Sequence, residues 1–130
     1  MNMNTVANSE LLARFIVSSK WIRKQDNYVN SAAFIPNPDR ELSVTRHSDI
    51  LEEKLWNIGK QVAQIRKRNL YGRADVQAIN VTNQNLKVEP DPIPSNPAHA
   101  NIKNWPVEKE EQKILALEIA AAAQFVPNPL

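Results

Sequence analysis

His47 and His99 are the only two imidazoles in a chain that has no cysteine. Imidazole titrates near neutral pH, so a converging pair could act as general acid and general base. Each has a polar companion: Arg46 precedes His47, and Asn101 lies two residues beyond His99. In this reading His47 or His99 transfers a proton and Asn101 orients it. Arg46 and Arg73 hold an anionic group through their planar guanidinium forks. Arg73 also stands two residues before Asp75 in Tyr71-Gly72-Arg73-Ala74-Asp75, so an internal salt bridge or turn cap competes with anion binding. A metal would need Asp49 or Asp75 beside both histidines, and no local spacing brings them together. We therefore expect neither a metal nor a cofactor. A surface histidine beside a helix start and a second one bonded to backbone would account equally well for both positions.

Other catalytic signatures are missing. The chain has no phosphate-binding glycine loop, no GxSxG, no HExxH and no EF-hand loop. With two glycines in 130 residues, a backbone cradle for phosphate is not expected. The absence of cysteine removes disulfides, thiol nucleophiles and thiolate zinc sites. The first residues carry no basic or apolar leader pattern, and no apolar run approaches the ~18 residues of a membrane span. These features point to a cytoplasmic protein with no membrane partner.

Binding surfaces are the other source of function. Trp56 and Trp105 are candidate anchors for a protein partner or a second copy, since tryptophan is enriched at interface hot spots. Trp56 shares its helix side with Gly59 and Ala63, so burial against a neighbouring backbone is the competing reading. Arg66, Lys67 and Arg68, with Tyr71 and Arg73 beyond them, could meet nucleic acid. A charge run at a helix end also complements the helix dipole. The net charge of +2 is split, with +5 in residues 1–73 and −3 in residues 74–130. The two halves could attract each other within one fold, or the basic one could face an anionic partner.

These residues hang on a framework read from periodicity. Leu51, Leu55, Ile58, Val62 and Ile65 step by one helix face and predict a central helix over about 49–68. Asp49 and Glu52 form a capping-box pattern at its start. Gly72 suits a left-handed residue past its end. Strands are predicted from near Arg14, over Val29–Ile35, over Leu42–Arg46 and around Leu86–Val88, with a turn at Pro36–Asp39. A second helix is predicted over about 106–126, opened by Pro106. One of its faces carries Ile114, Leu117, Ala121 and Phe125, and the other Leu115, Ile119, Ala122 and Val126. Residues 89–97 hold four prolines and read as an extended, exposed strap. The expectation is an α+β fold: a small antiparallel sheet of three to four strands packed by the two helices. Residues 1–9 are a flexible N-terminus and 10–130 a single domain.

The combination Ala33-Phe34-Ile35-Pro36, Ser43-Val44-Thr45-Arg46, Gly72-Arg73-Ala74-Asp75 and His99-Ala100-Asn101-Ile102 with Trp105-Pro106 resembles a set of short bacterial proteins without an assigned activity. The likeness spans about residues 14–126 and implies a bacterial source. The paired histidines are also similar to those of two-histidine phosphoesterases. However, His47-Ser48-Asp49 and His99-Ala100-Asn101 both lack that group's hydroxyl at the third position. The leading functional expectation is a protein-binding accessory subunit of a larger bacterial assembly. The alternatives are a small enzyme acting on a phosphate- or nucleotide-containing substrate by His/Arg acid–base chemistry, and a nucleic-acid binder working through the basic helix end.

Overall fold

The computed structural model describes residues 5–47 and 49–129. The chain is α+β, as the periodicity indicates, but its sheet is larger than expected. Among the described residues six strands make one sheet: β1 (Leu11–Ile16), β4 (Leu42–Arg46), β5 (Gly72–Gln77), β6 (Lys87–Pro90), β7 (His99–Lys103) and β8 (Gln124–Pro127). Their order is β6-β7-β4-β1-β5-β8 and every neighbouring pair is antiparallel. A separate ribbon pairs β2 (Ile22–Arg23) with β3 (Tyr28–Val29) around a loop at residues 24–27. The helices are α1 (Glu52–Ile65), the short α2 (Ile79–Thr82) and α3 (Lys109–Ala122). No helix among the described residues is long and apolar enough to cross a membrane.

Alternation along the strands divides the sheet into two unlike faces. Leu12, Ile16, Leu42, Val44, Ala74, Val76, Ala100 and Ile102 share one core with Ala116, Ile119 and Ala120 of α3. The other face carries only a small cluster, Ala13 and Phe15 of β1 beneath Leu55 and Ile58 of α1. The rest of that face, toward β7, presents Ser43, Thr45, His99 and Asn101. This asymmetry leaves room beside α1 for a cleft.

Several local expectations are corrected. Val29–Ile35 is not one strand: it divides into β3 and a 3-10 turn, Ser31–Phe34, which tucks Ala33 and Phe34 into the core. The Gly72–Asp75 stretch is not a turn but part of β5. Asp49 does not cap α1. It takes a left-handed φ of 65°, Leu51 becomes the N-cap without a side-chain bond, and Glu52 is engaged elsewhere. At the other end Lys67, not Gly72, supplies the left-handed residue (φ 54°). Arg68 N–H bonds Ala63 C=O and Lys67 N–H bonds Gln64 C=O, a Schellman closure that stops the helix at Ile65.

The helix stripes also change. Leu55 and Ile58 are buried, but Leu51 and Ile65 at the stripe's ends are 77 % and 75 % exposed. The buried face of α3 is Gln112, Ala116, Ile119 and Ala120, while Ile114 and Leu117 are exposed. Phe125 and Val126 leave the helix to form β8, because the open edge of β5 offers them a ladder of backbone bonds. The Pro-rich segment joins β6 to β7. Within it Ile93 and Asn96 exchange both backbone bonds, so it closes into a loop. Val6 packs on the main core and Asn8 C=O accepts from Ile79 N–H, so residues 5–9 lie against the fold. The remainder of the expected N-terminal arm, residues 1–4, and Ser48 in the expected His47–Ser48 link are outside the described residues.

Both glycines permit close approach. A Cβ on Gly72 would meet the Val126 carbonyl and the Phe125 ring. A Cβ on Gly59 would stand 2.6 Å from Phe15 Cε1 and 3.3 Å from Leu70 Cδ2. Gly59 therefore sets how deeply α1 settles on β1. Gly59→Val should lower stability by about 2–3 kcal/mol through overpacking, read as a shift of the urea midpoint. Gly59→Ala should cost less, because alanine regains ~1 kcal/mol of helix propensity.

Candidate functional site

Two polar groupings flank α1 on the same side of the sheet. The first lies at its N-terminal end. Arg73 of β5 stands two residues from Asp75, and a period of two places both on one face. Arg73 Nε bonds both Asp75 oxygens at 3.0 and 3.1 Å. Its Nη1 bonds Glu52 Oε2 at 2.6 Å and its Nη2 bonds Glu52 Oε1 at 3.2 Å. The Trp56 ring stacks 4.8 Å from the guanidinium, and its Nε1 donates to Glu52 Oε2 at 3.0 Å. Burial pulls the Arg73 pKa down, but the bonds to Glu52 and Asp75 outweigh it and raise the value. The Arg73 bond holds Glu52 below the usual carboxylate range against the opposing effect of burial. His47 Nε2 lies 3.7 Å from Asp75 Oδ2 and 3.8 Å from Glu52 Oε1, buried and without a hydrogen bond. Arg73 is 4 % exposed and already holds two carboxylates. This grouping ties α1 to β5.

The second grouping is the cleft. α1 contributes Ile58, Gln61, Val62 and Ile65, with Arg66 just past its end, as one wall, and the β6–β7 loop contributes Ile93, Ser95 and Asn96 as the other. The volume is ≈ 330 Å³. The floor has an unusual origin. β1 and β4 pair at Leu12 with Arg46 and at Ala13 with Thr45, and no further. Beyond those residues β1 continues against β5 and β4 against β7, so the sheet splits. Arg14, from the core face, fills the split. Its Nη1 donates to Ser43 C=O at 3.0 Å, a carbonyl that continued pairing would give to Phe15. Its Nε donates to Ala33 C=O at 2.8 Å, and the Trp21 ring lies 5.2 Å from its guanidinium carbon. Arg14 is 9 % exposed, and among the described residues no carboxylate pairs with it. Burial, then the charge of Arg66, push its pKa down to about 10, which leaves it charged at neutral pH. Arg14 and Arg66 both line the cleft, and among the described residues no Asp or Glu does.

His99 lines the same cleft, and the loop positions it. Asp91 N–H bonds the His99 carbonyl and His99 N–H bonds the Asn96 carbonyl. Its ring Nδ1 lies 2.9 Å from the Asp91 carbonyl oxygen and 3.4 Å from Asp91 Oδ2. A carbonyl only accepts, so Nδ1 carries the proton and the Nε2 of the neutral ring is an acceptor. Ser43 Oγ, 3.2 Å from Nε2, donates to it. Asn101 Nδ2 donates to Asp91 Oδ2 at 2.9 Å and steadies that side chain. Thr45 Oγ1 accepts from Asn96 Nδ2 at 3.0 Å, which turns the loop inward.

The structure thus separates the residues singled out from sequence. His47 and His99 share no partner: one faces Glu52 and Asp75, the other Ser43 and Asp91. Asn101 joins the His99 grouping through Asp91. Arg46 is 4 % exposed and makes a two-pronged pair with Glu10 at 2.6 and 2.9 Å; that bond raises its pKa against the effect of burial. Trp105 is 2 % exposed and donates to Ile102 C=O, and Trp56 is 7 % exposed. Arg66, Lys67 and Arg68 are exposed, and of these only Arg66 lines the cleft. Sequence reasoning missed Arg14, Ser43, Asp91 and Asn96. The signal for Arg14 was a charge inside the apolar run Leu11–Ile16. For the others the necessary signal was pairing across β4 and β7, which no local pattern contains. Among the described residues no cluster of His, Asp and Glu could hold a metal.

The depressed Glu52 pKa has a defined sign. Its contribution to stability is present above the unfolded-state value and is lost as pH falls through the lower folded-state value. Urea midpoints measured across the acid range should therefore fall less steeply for Glu52→Gln than for the wild type. The difference should not exceed about 1 kcal/mol, because the carboxylate is half exposed and screened.

No family model matches the chain, and neither a curated protein nor a solved structure is similar to it.

Proposed function

We propose that the protein binds a small, partly apolar anion in the cleft between α1 and the β6–β7 loop. The observation that carries this reading is Arg14. A buried charge without a counter-charge is costly, and two carbonyls and an indole face offset only part of that cost. An anion entering from the cleft would supply the missing charge, with Arg66 beside it. The acid-free lining leaves the cleft electropositive. Phe15, Ile58, Val62, Ile65 and Ile93 add an apolar wall for the rest of the ligand, and the volume suits a molecule of modest size.

This reading keeps the anionic substrate of the enzyme alternative but moves its recognition from Arg46 and Arg73 to Arg14 and Arg66. An accessory subunit anchored through Trp56 and Trp105 receives less support, since both indoles are buried. Isothermal titration with hexanoate, glutarate and butyl phosphate should give saturable binding that weakens with salt. Arg14→Gln should lose tenfold or more in affinity, about 1.4 kcal/mol. Arg68→Gln, outside the cleft, should retain it. No saturable binding by any of the three anions, or equal binding by Arg14→Gln, would overturn the reading.

A further inference from the structure

We propose that Ser43 and His99 are a nucleophile and its general base, and that the cleft hydrolyses small carboxylic esters bearing a second, anionic group. The substrate class rests on the anion-binding reading; the relay itself rests on separate geometry. A serine hydroxyl becomes a useful nucleophile when an acceptor of fixed tautomer takes its proton and a third group fixes that acceptor. All three parts are present. Ser43 Oγ lies 3.2 Å from His99 Nε2, the Asp91 carbonyl holds Nδ1 at 2.9 Å, and Asp91 Oδ2 stands 3.4 Å from the same nitrogen. Asn101 braces that carboxylate from behind. The neighbouring hydroxyl gives the contrast: Thr45 Oγ1 is taken by Asn96, whereas among the described residues Ser43 Oγ meets only the imidazole. Ser43 and His99 both line the cleft, and Asp91 does not, so the polarity of the relay points inward.

The chemistry balances without a co-reactant other than water. Ser43 Oγ adds to the ester carbonyl carbon as its proton passes to His99 Nε2. The carbon–oxygen bond to the alcohol breaks, and His99 returns the proton to that alcohol as it leaves. Water then adds to the acyl-serine, losing a proton to Nε2; the carbon–Oγ bond breaks, His99 returns that proton to Ser43 Oγ, and the acid departs. Two guanidinium groups in a cleft without acids match two negative charges, the fixed anion of the substrate and the oxyanion of each tetrahedral intermediate. Arg14 is the one beside the reacting residue, bonded to the Ser43 carbonyl. Ser43 and His99 are the catalytic residues, and Asp91 is a positioning residue.

Mono-4-nitrophenyl glutarate is the probe, with neutral 4-nitrophenyl butyrate as its comparison. Intact protein should release a burst of one 4-nitrophenolate per chain and gain the glutaryl mass on the peptide holding Ser43. Ser43→Ala should abolish both signals, and His99→Gln should slow the burst by about 100-fold or more. Asp91→Asn should lower kcat several-fold with KM unchanged. A purely structural effect would be seen instead as lost thermal stability at unaltered kcat. If glutarate binds in titration but no burst occurs, or Ser43→Ala still turns over, the hydrolase is wrong and the anion site stands. A Ser43-dependent burst equal for both esters, with no glutarate binding, overturns the anion site and leaves the relay.

Discussion

The sheet carries two buried arginines on the same face of adjacent strands, and the difference between them organises the molecule. Arg46 of β4 is answered by Glu10 in a two-pronged pair sealed under the N-terminal segment. Its charge is taken out of water together with its counter-charge, the condition under which a buried ion is tolerated. Among the described residues Arg14 of β1 is answered by carbonyls and the Trp21 ring. An apolar side chain would fill the core at that position with no charge to bury. What Arg14 supplies instead is a plug for the place where β1 and β4 part. Its guanidinium satisfies the Ser43 carbonyl that continued pairing would have used, and the split becomes the cleft floor.

The position of α1 follows from the same split. The helix has little apolar surface to sit on, only Ala13 and Phe15 of β1 with Leu70 beside them. It is fixed by three unlike devices. Gly59 lets it sink onto Phe15, Glu52 ties its first turn to Arg73, and Trp56 stacks on that guanidinium. The Schellman closure at Lys67 then ends the helix where Ile65 and Arg66 overlook the gap. The exposure of Ile65 reads as wasted apolar surface along the helix stripe. Beside the cleft it is part of a wall.

Much of this was legible in the sequence, and the limit is physical. The α+β class, the strand at Leu42–Arg46, the turn after Ile35 and the existence of both long helices follow from local period and turn chemistry. Helix ends were overextended because caps depend on backbone conformation. Asp49 had the right chemistry for an N-cap and the wrong φ. The C-terminal helix was read through Phe125 and Val126 because a free strand edge is invisible to periodicity. The candidate site shows the same division. His99 and Asn101 were named together because they lie two residues apart, and the structure places both beside Asp91. Ser43 is 56 residues from His99. Only the antiparallel register of β4 against β7, Ser43 opposite Asn101 and Thr45 opposite His99, makes them adjacent.

That register also separates the two histidines in kind. Thr45 and His47 lie on one face of the same run of chain, so both imidazoles belong to a single polar surface divided by α1. On one side His47 faces two carboxylates already engaged by Arg73, and its Nε2 has no hydroxyl or carbonyl to work with. Its neighbours are two carboxylates bonded to one guanidinium, on which the Trp56 ring stacks. On the other side His99 has a carbonyl at one nitrogen and a hydroxyl at the other, in a cleft that no carboxylate lines among the described residues. A side chain surrounded by satisfied charges holds a structure together. One placed between a fixed acceptor and a hydroxyl has the arrangement that the proposed proton transfer requires. The proposed chemistry therefore falls on the β4–β7 side of α1, and the β5 side ties the helix to the sheet through Arg73 and Glu52.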